Sequence, residues 1–155
     1  MDIKFVKLSN NAVIPCYGKV GDAGLDLYTA EDVVIKAGET VAIPTDIAIQ
    51  LSQGYEATVR PRSGISLKGV SCTVNGLGLQ RKAYLRVQLG TVDSNYRGNI
   101  GIITYNQEDY DVFLPKGTKL AQLVIAPVMR VDLIECDKLE ESERNSDGFG
   151  SSGER

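Results

Sequence analysis

The chain has 155 residues, 43% of them apolar, enough for one globular domain that buries about 70% of the surface its unfolded form exposes. A formal net charge of −3 argues against a protein that holds nucleic acid by neutralising phosphates. The absence of histidine removes Ser-His-Asp and Cys-His catalysis, histidine-ligated metals and every histidine general base. Any chemistry must therefore use carboxylates, Arg and Lys, hydroxyls, main-chain dipoles or a metal carried in by a ligand.

Period-two alternation runs through the chain and predicts strands. Ile3–Phe5 opens the series, followed by Val41–Ile43 and Ile47–Leu51. Tyr55, Ala57 and Val59 form one alternating set, and Leu85, Val87 and Leu89 another. Ile100–Tyr105, Val112–Leu114, Leu120–Ile125 and Val128–Ile134 complete it. Turn chemistry separates these runs in KAGE (36–39), SQGY (52–55), YRGN (96–99) and PKGT (115–118). With 16 Gly, five Pro and no Trp, the pattern predicts an all-β barrel or sandwich. One stretch reads as helix, Ser63–Lys68, with Ser63 near its cap. Residues 1–135 form the expected core. From 136 to 155 acidic and small residues dominate, which predicts a flexible C-terminal arm.

Cys16, Cys72 and Cys136 are widely spaced and odd in number, with no C-x-x-C pair, so neither a disulfide framework nor a zinc site is expected. The start, MDIKFVKLSNN, lacks an apolar signal core, and no stretch approaches about 18 apolar residues. A soluble, reducing, cytoplasmic setting without membrane contact is the expectation.

Four segments carry the candidate chemistry. Arg62-Ser63-Gly64 leads into the helix and offers amides, a hydroxyl and a guanidinium to an anion; the other reading is a capped turn with a surface arginine. GFGSSG (148–153) reads as a phosphate-wrapping nest or as an open chain end, and Phe149 within it has no core of its own to enter. Asp93, in GTVDSNYRGNIG, is a general base for water or a turn aspartate bonding its own backbone. Asp26 raises the same question. Gln122, in the apolar run KLAQLVI, is either a bonded amide or a residue on an exposed strand face. Lys116 and Lys119 read as solvated charges, as do Arg81 and Lys82.

In order, AGLDLYTAE (23–31), PRSGISLKG (61–69), GTVDSNYRGNIG (90–101), KLAQLVI (119–125) and RNSDGFGSSG (144–153) resemble the five signature motifs of the trimeric dUTPase family. The resemblance implies a jelly-roll-like homotrimer that hydrolyses dUTP to dUMP and pyrophosphate, keeping uracil out of DNA and supplying dUMP for dTMP synthesis. It implies Asp93 as the base and Arg144 as a catalytic cation. It assigns Arg62, Ser63, Gly64 and Gln122 to the phosphates. The main chain near Gly90 and Gly101 would read uracil, and Tyr96 would pack on the deoxyribose. Phe149, Gly150, Ser151 and Ser152 belong to the closing arm. Mg²⁺ would be chelated by the triphosphate and reached by Asp26 through water. A bacterial or phage-infected cytosol suits such an enzyme.

Two departures stand out. Residues 70–88 exceed the family's usual spacing, which predicts an added hairpin with its tip at Asn75-Gly76 and a surface for a regulatory protein partner. Val87-Gln88-Leu89 stand where many relatives carry an asparagine. The rival readings are a dCTP deaminase of the same superfamily, whose members usually have a second Ser where this chain has Gly64, and a nucleotide-gated regulatory binding protein.

Overall fold

The computed structural model describes residues 2–143, 145 and 146. Among these the chain is all-β apart from one six-residue helix. In chain order come β1 (Lys4–Lys7), β2 (Cys16–Tyr17), β3 (Gly24–Tyr28), β4 (Val33–Ile35), β5 (Thr40–Pro44), β6 (Ile47–Gln50) and β7 (Tyr55–Pro61). After β7 follow α1 (Ser63–Lys68), β8 (Val70–Val74), β9 (Gln80–Ala83), β10 (Leu85–Val87), β11 (Gly90–Val92), β12 (Gly101–Asn106), β13 (Val112–Leu114) and β14 (Lys119–Pro127). No described helix is long and apolar enough to cross a membrane.

The strands form open sheets. The largest has the order β11-β7-β14-β3-β2, and the others are β10-β12-β5, β4-β13-β8-β9 and the pair β1-β6. Every pairing is antiparallel, and most join strands that are distant in the chain. One face of each sheet turns inward. Leu27, Ile35, Ile43, Ile47, Ile102, Leu114 and Leu120 are at most 1% exposed and pack in one cluster, the burial that drives folding. The jelly-roll-like β expectation is met.

A buried amide ties two chain segments to this core, the end of β4 and the loop between β12 and β13. Asn106, at the end of β12, is fully buried. Its Nδ2 donates to the carbonyls of Ile35, Lys36 and Tyr110 at 3.0, 3.1 and 2.9 Å, and its Oδ1 accepts from the Glu108 amide at 3.0 Å. Among the described residues no buried side-chain polar atom lacks a partner, so polar groups enter this core only when satisfied.

Several expected elements differ in detail. The 85–89 run breaks at Gln88-Leu89, and Leu89 is 69% exposed; the break lets β10 and β11 join different sheets. The cap of α1 is Arg62, with Ser63 the first helical residue. The 96–99 turn is preceded by a tighter one, closed by the Tyr96 amide on the Asp93 carbonyl at 3.0 Å. Residues 70–83 do form the added hairpin, β8 against β9, with Asn75-Gly76 in its loop. Val128–Ile134 is not a strand: no edge among the described residues pairs with it, and Met129, Val131, Leu133 and Ile134 are 70–95% exposed. The strands β3 and β4 lie outside the predicted runs, since AGLDLY carries an aspartate at its centre and β4 is only three residues long.

Asn106→Ala would leave three carbonyls and one amide without their partner. A loss of about 3 kcal/mol is expected, read as a lower midpoint in urea denaturation with an unchanged slope.

Candidate active site

The centre of the largest sheet holds a charge cluster. Asp26 lies mid-strand on β3, opposite Gln122 of β14 and Cys16 of β2. Leu27 beside it points into the core, so alternation sends Asp26 to the other face. There it remains 7% exposed, because two cations cover it. Arg62 Nε stands 3.0 Å from Oδ1 and Lys119 Nζ 2.7 Å from Oδ2. Arg62 reaches it from the turn between β7 and α1.

Lys119 reaches it through a bulge. Residues 119 and 122 differ by three and would face opposite sides of a regular strand. The pairing of β14 with β3 slips between Lys119 and Ala121, and Leu120 and Ala121 are both buried in succession. That extra residue swings Lys119 onto the face of Gln122, the usual effect of a bulge. The ammonium also lies 5.5 Å from the centre of the Tyr28 ring, and its hydrogen bond to Asp26 raises its pKa above the ordinary lysine value. Burial raises the Tyr28 phenol likewise.

Gln122 is a bonded amide: Nε2 donates to the Pro61 carbonyl at 3.0 Å, which fixes the entry to Arg62-Ser63-Gly64. Its Oε1 sits over Gly24, where a Cβ would come within 2.5 Å; only glycine leaves this side chain its place. No side chain caps α1, so the Ser63-Gly64 segment faces the cleft with its first-turn amides uncapped by side chains. The cleft measures about 470 Å³ and is lined by Lys19, Asp22, Asp26, Arg62, Ser63, Gly64, Lys119 and Gln122, among others. Asp22 and Asp26 both lie beside Gly18, where a Cβ would stand 3.1 and 3.7 Å from their Oδ2 atoms; Asp22 Oδ2 accepts the Lys19 amide at 2.8 Å.

Asp93 is elsewhere. It follows β11, is exposed, and lines a cleft of about 630 Å³ with Glu56, Ser94, Asn95, Arg97 and Arg130. Its main-chain carbonyl closes the turn to Tyr96, which answers the turn-aspartate reading: the side chain is not what holds the turn. Tyr96 is 46% exposed, and its hydroxyl donates to the Asn99 carbonyl at 3.1 Å. Gly90 lies opposite Val59, and Gly101 opposite Pro44. A Cβ at either would meet its nearest neighbour at 3.8 or 3.7 Å, ordinary contact distances, so packing within the chain does not demand these glycines.

The fold thus brings Asp26, Arg62, Ser63, Gly64 and Gln122 together and leaves Asp93, Tyr96, Gly90 and Gly101 apart from them. β7 is the ruler between the groups. Val92 pairs with Ala57 near its start and Arg62 follows its end, a separation of roughly 16 Å at about 3.3 Å per residue. Arg144, Phe149, Gly150, Ser151 and Ser152 lie outside the described residues. Lys119, expected as a solvated charge, is the site residue that sequence reasoning misses, because alternation alone puts it on the wrong face. Arg81, stacked 5.2 Å from Tyr110, and Lys82, bonded to Ser71, remain surface residues. Cys72 is buried, which raises its pKa, and all three cysteines are free.

Comparison with known proteins places this geometry. The dUTPase family model matches residues 10–78 and 76–153. A deoxyuridine 5'-triphosphate nucleotidohydrolase of Hydrogenobaculum is 40% identical over 99% of this chain and 99% of its own. The dUTPase of Staphylococcus bacteriophage 80alpha, solved with dUPNHPP, superposes with a TM-score of 0.84 at 30% identity, covering 98% of each chain. A variant dUTPase from phage phi11 of S. aureus, whose structure shows the coordination of a structural Mg(II) ion, superposes with a TM-score of 0.77 at 28% identity, covering 91% of this chain and all of its own. Motifs in order, a jelly-roll-like β architecture and full-length similarity converge: the chain belongs to the dUTPase family.

Proposed function

We infer that the protein hydrolyses dUTP to dUMP and pyrophosphate. The observation that carries this is the cationic cleft around Asp26, in which Arg62, Lys119, the Ser63-Gly64 segment and the braced Gln122 face one space, within a chain of this family. Asp93 accepts a proton from water, whose oxygen bonds to the α-phosphorus. The bond from that phosphorus to the bridging oxygen breaks, and pyrophosphate leaves with the electron pair. Phosphoryl chemistry asks for positioning and charge stabilisation more than covalent help. Arg62, Ser63, Gly64 and Gln122 hold the phosphates. Tyr96 packs on the deoxyribose, and the bare main chain at Gly90 and Gly101 lets uracil approach. Arg144, Phe149, Gly150, Ser151 and Ser152 close over the nucleotide.

The residues present suit a hard cation carried by the triphosphate. Asp22 and Asp26 line one cleft and offer only oxygen, the donor that Mg²⁺ prefers. No described group of three or more His, Cys, Asp or Glu would hold a metal unaided. Asp26, already bonded to two cations, would reach the ion through its waters. When bound, Mg²⁺ offsets phosphate charge in the transition state.

Two separate clefts call for more than one chain. In a homotrimer, the Asp93 of one subunit meets the Arg62 cleft of its neighbour, and no single chain has to span β7. The exposed apolar side chains of Val128–Leu139, and of Phe5, Ile14 and Tyr17, support assembly. The deaminase reading is disfavoured by the family placement and by Gly64. A second, additional role keeps one observation in its favour: Leu77 and Leu79 at the β8–β9 tip are 69% and 57% exposed, a surface on which a regulatory protein partner would dock.

Pyrophosphate release should be fast with dUTP and negligible with dTTP, dCTP or UTP; equal rates across the set would refute the assignment. Asp93→Asn should lower kcat by about 10²–10⁴ while calorimetry still registers nucleotide binding; normal turnover would remove Asp93 from the base role. Co-refolding inactive Asp93→Asn and Arg62→Gln chains should restore activity at roughly a quarter of the sites, by random association in a closed ring. If the mixture stays as inactive as its parts, each site is built within one chain.

A further inference from the structure

The turn between β5 and β6 lies outside all five motifs, yet it grips the third. Asp46 stands in this turn with φ of 53°, a left-handed conformation that costs most residues energy and that glycine or asparagine adopts more readily. Asn99 holds it there. The Asp46 amide donates to Asn99 Oδ1 at 2.9 Å, and Asn99 Nδ2 donates to Asp46 Oδ1 at 2.7 Å. Both bonds are partly buried. Next to them the Thr45 hydroxyl donates to the Ile100 carbonyl at 2.7 Å, so the turn holds residues 99 and 100 from two sides.

Asn99 passes this hold to Tyr96. Its carbonyl accepts the Tyr96 hydroxyl, and the ring lies against Gly98, where a Cβ would collide with the phenol Cζ and oxygen. The ring therefore has a floor at Gly98 and a tether at Asn99, and the tether is anchored on Asp46.

We propose that Asp46 is a positioning residue for sugar selection: through Asn99 it sets where the Tyr96 ring stands, and so how completely the site rejects a 2′-hydroxyl. This rests on the reading of Tyr96 as the surface that meets deoxyribose. A residue that only stabilised a turn would change unfolding and leave discrimination alone. A positioning residue changes the ratio of kcat/KM for dUTP to that for UTP.

Asp46→Gly separates the two roles, because glycine accepts the backbone conformation while removing the carboxylate. It should keep a cooperative thermal transition, while the dUTP/UTP ratio falls about tenfold. Asp46→Asn retains an acceptor for Asn99 Nδ2 and tolerates the same φ, so its ratio should stay within about threefold of the parent protein. Should the glycine variant not fold, Asn99→Ala removes the Asn99 Nδ2 bond together with the Asp46 amide's bond to Asn99 Oδ1 and should show a fall at least as large. An unchanged ratio in either folded variant overturns the proposal, as does an asparagine variant that falls as far as glycine. A parent protein that leaves dUTP uncleaved would refute the functional reading itself, whereas intact turnover with an unchanged ratio refutes only this role for Asp46.

Discussion

The geometry of the cationic cleft depends on one buried carboxylate and its two cations. Asp26 joins three pieces that are distant in sequence: its own strand, the turn after β7 that carries Arg62, and the bulged start of β14 that carries Lys119. A carboxylate this covered is costly unless both oxygens are satisfied, and each oxygen here meets one cation. The reverse holds as well. Without Asp26, two positive groups would share a cleft with no anion between them. Arg62 and Lys119 are 33% and 38% exposed, so water screens part of that repulsion. The penalty therefore stays below the about 3–5 kcal/mol of unpairing a fully buried charge. The larger consequence is geometric: Arg62 is held beside Gln122, whose amide fixes Pro61, so under the proposed function the donors stand placed before a phosphate arrives. Preorganisation of this kind is where enzymes of phosphoryl transfer gain most.

Around that cleft the sheet order explains why Asp93 lies in a separate one. β7 runs between β11 and β14; the turn bearing Asp93 follows β11 beside the start of β7, and Arg62 follows the end of β7. The register of β7 with its two antiparallel neighbours imposes this separation, and no side-chain rearrangement closes it. The sheets remain open, and apolar side chains project from the segment after β14. A β domain with open edges and such side chains in solvent is poorly protected as a lone monomer. The homotrimer proposed above would cover that surface and bring the two clefts together.

Much of the architecture is readable in the sequence because alternation and turn chemistry agree locally. Tyr55, Ala57 and Val59 belong to β7, the Gly117 turn follows β13, and Asn75-Gly76 caps an added hairpin, each expected from a handful of neighbouring residues. Local reading fails where partners are distant. β3 escapes it because an aspartate in an apolar run reads as an interruption until its cations are known. Val128–Ile134 alternates like a strand, yet alternation supplies a face and not a partner, and a strand without a neighbouring edge has no ladder to join.

Residue types and their order determined the class of fold, the exclusion of histidine chemistry and the likeness to the dUTPase family, since these follow from local composition and motif order. The tertiary structure alone decided that Lys119 shares the cleft, that Asp26 is clamped between two cations, that Asp93 lies about a strand's length away, and that Asp46 reaches Tyr96 through Asn99. Each of these depends on register: a one-residue bulge inverts which face a side chain takes, and pairing between residues tens of positions apart is set by the whole sheet.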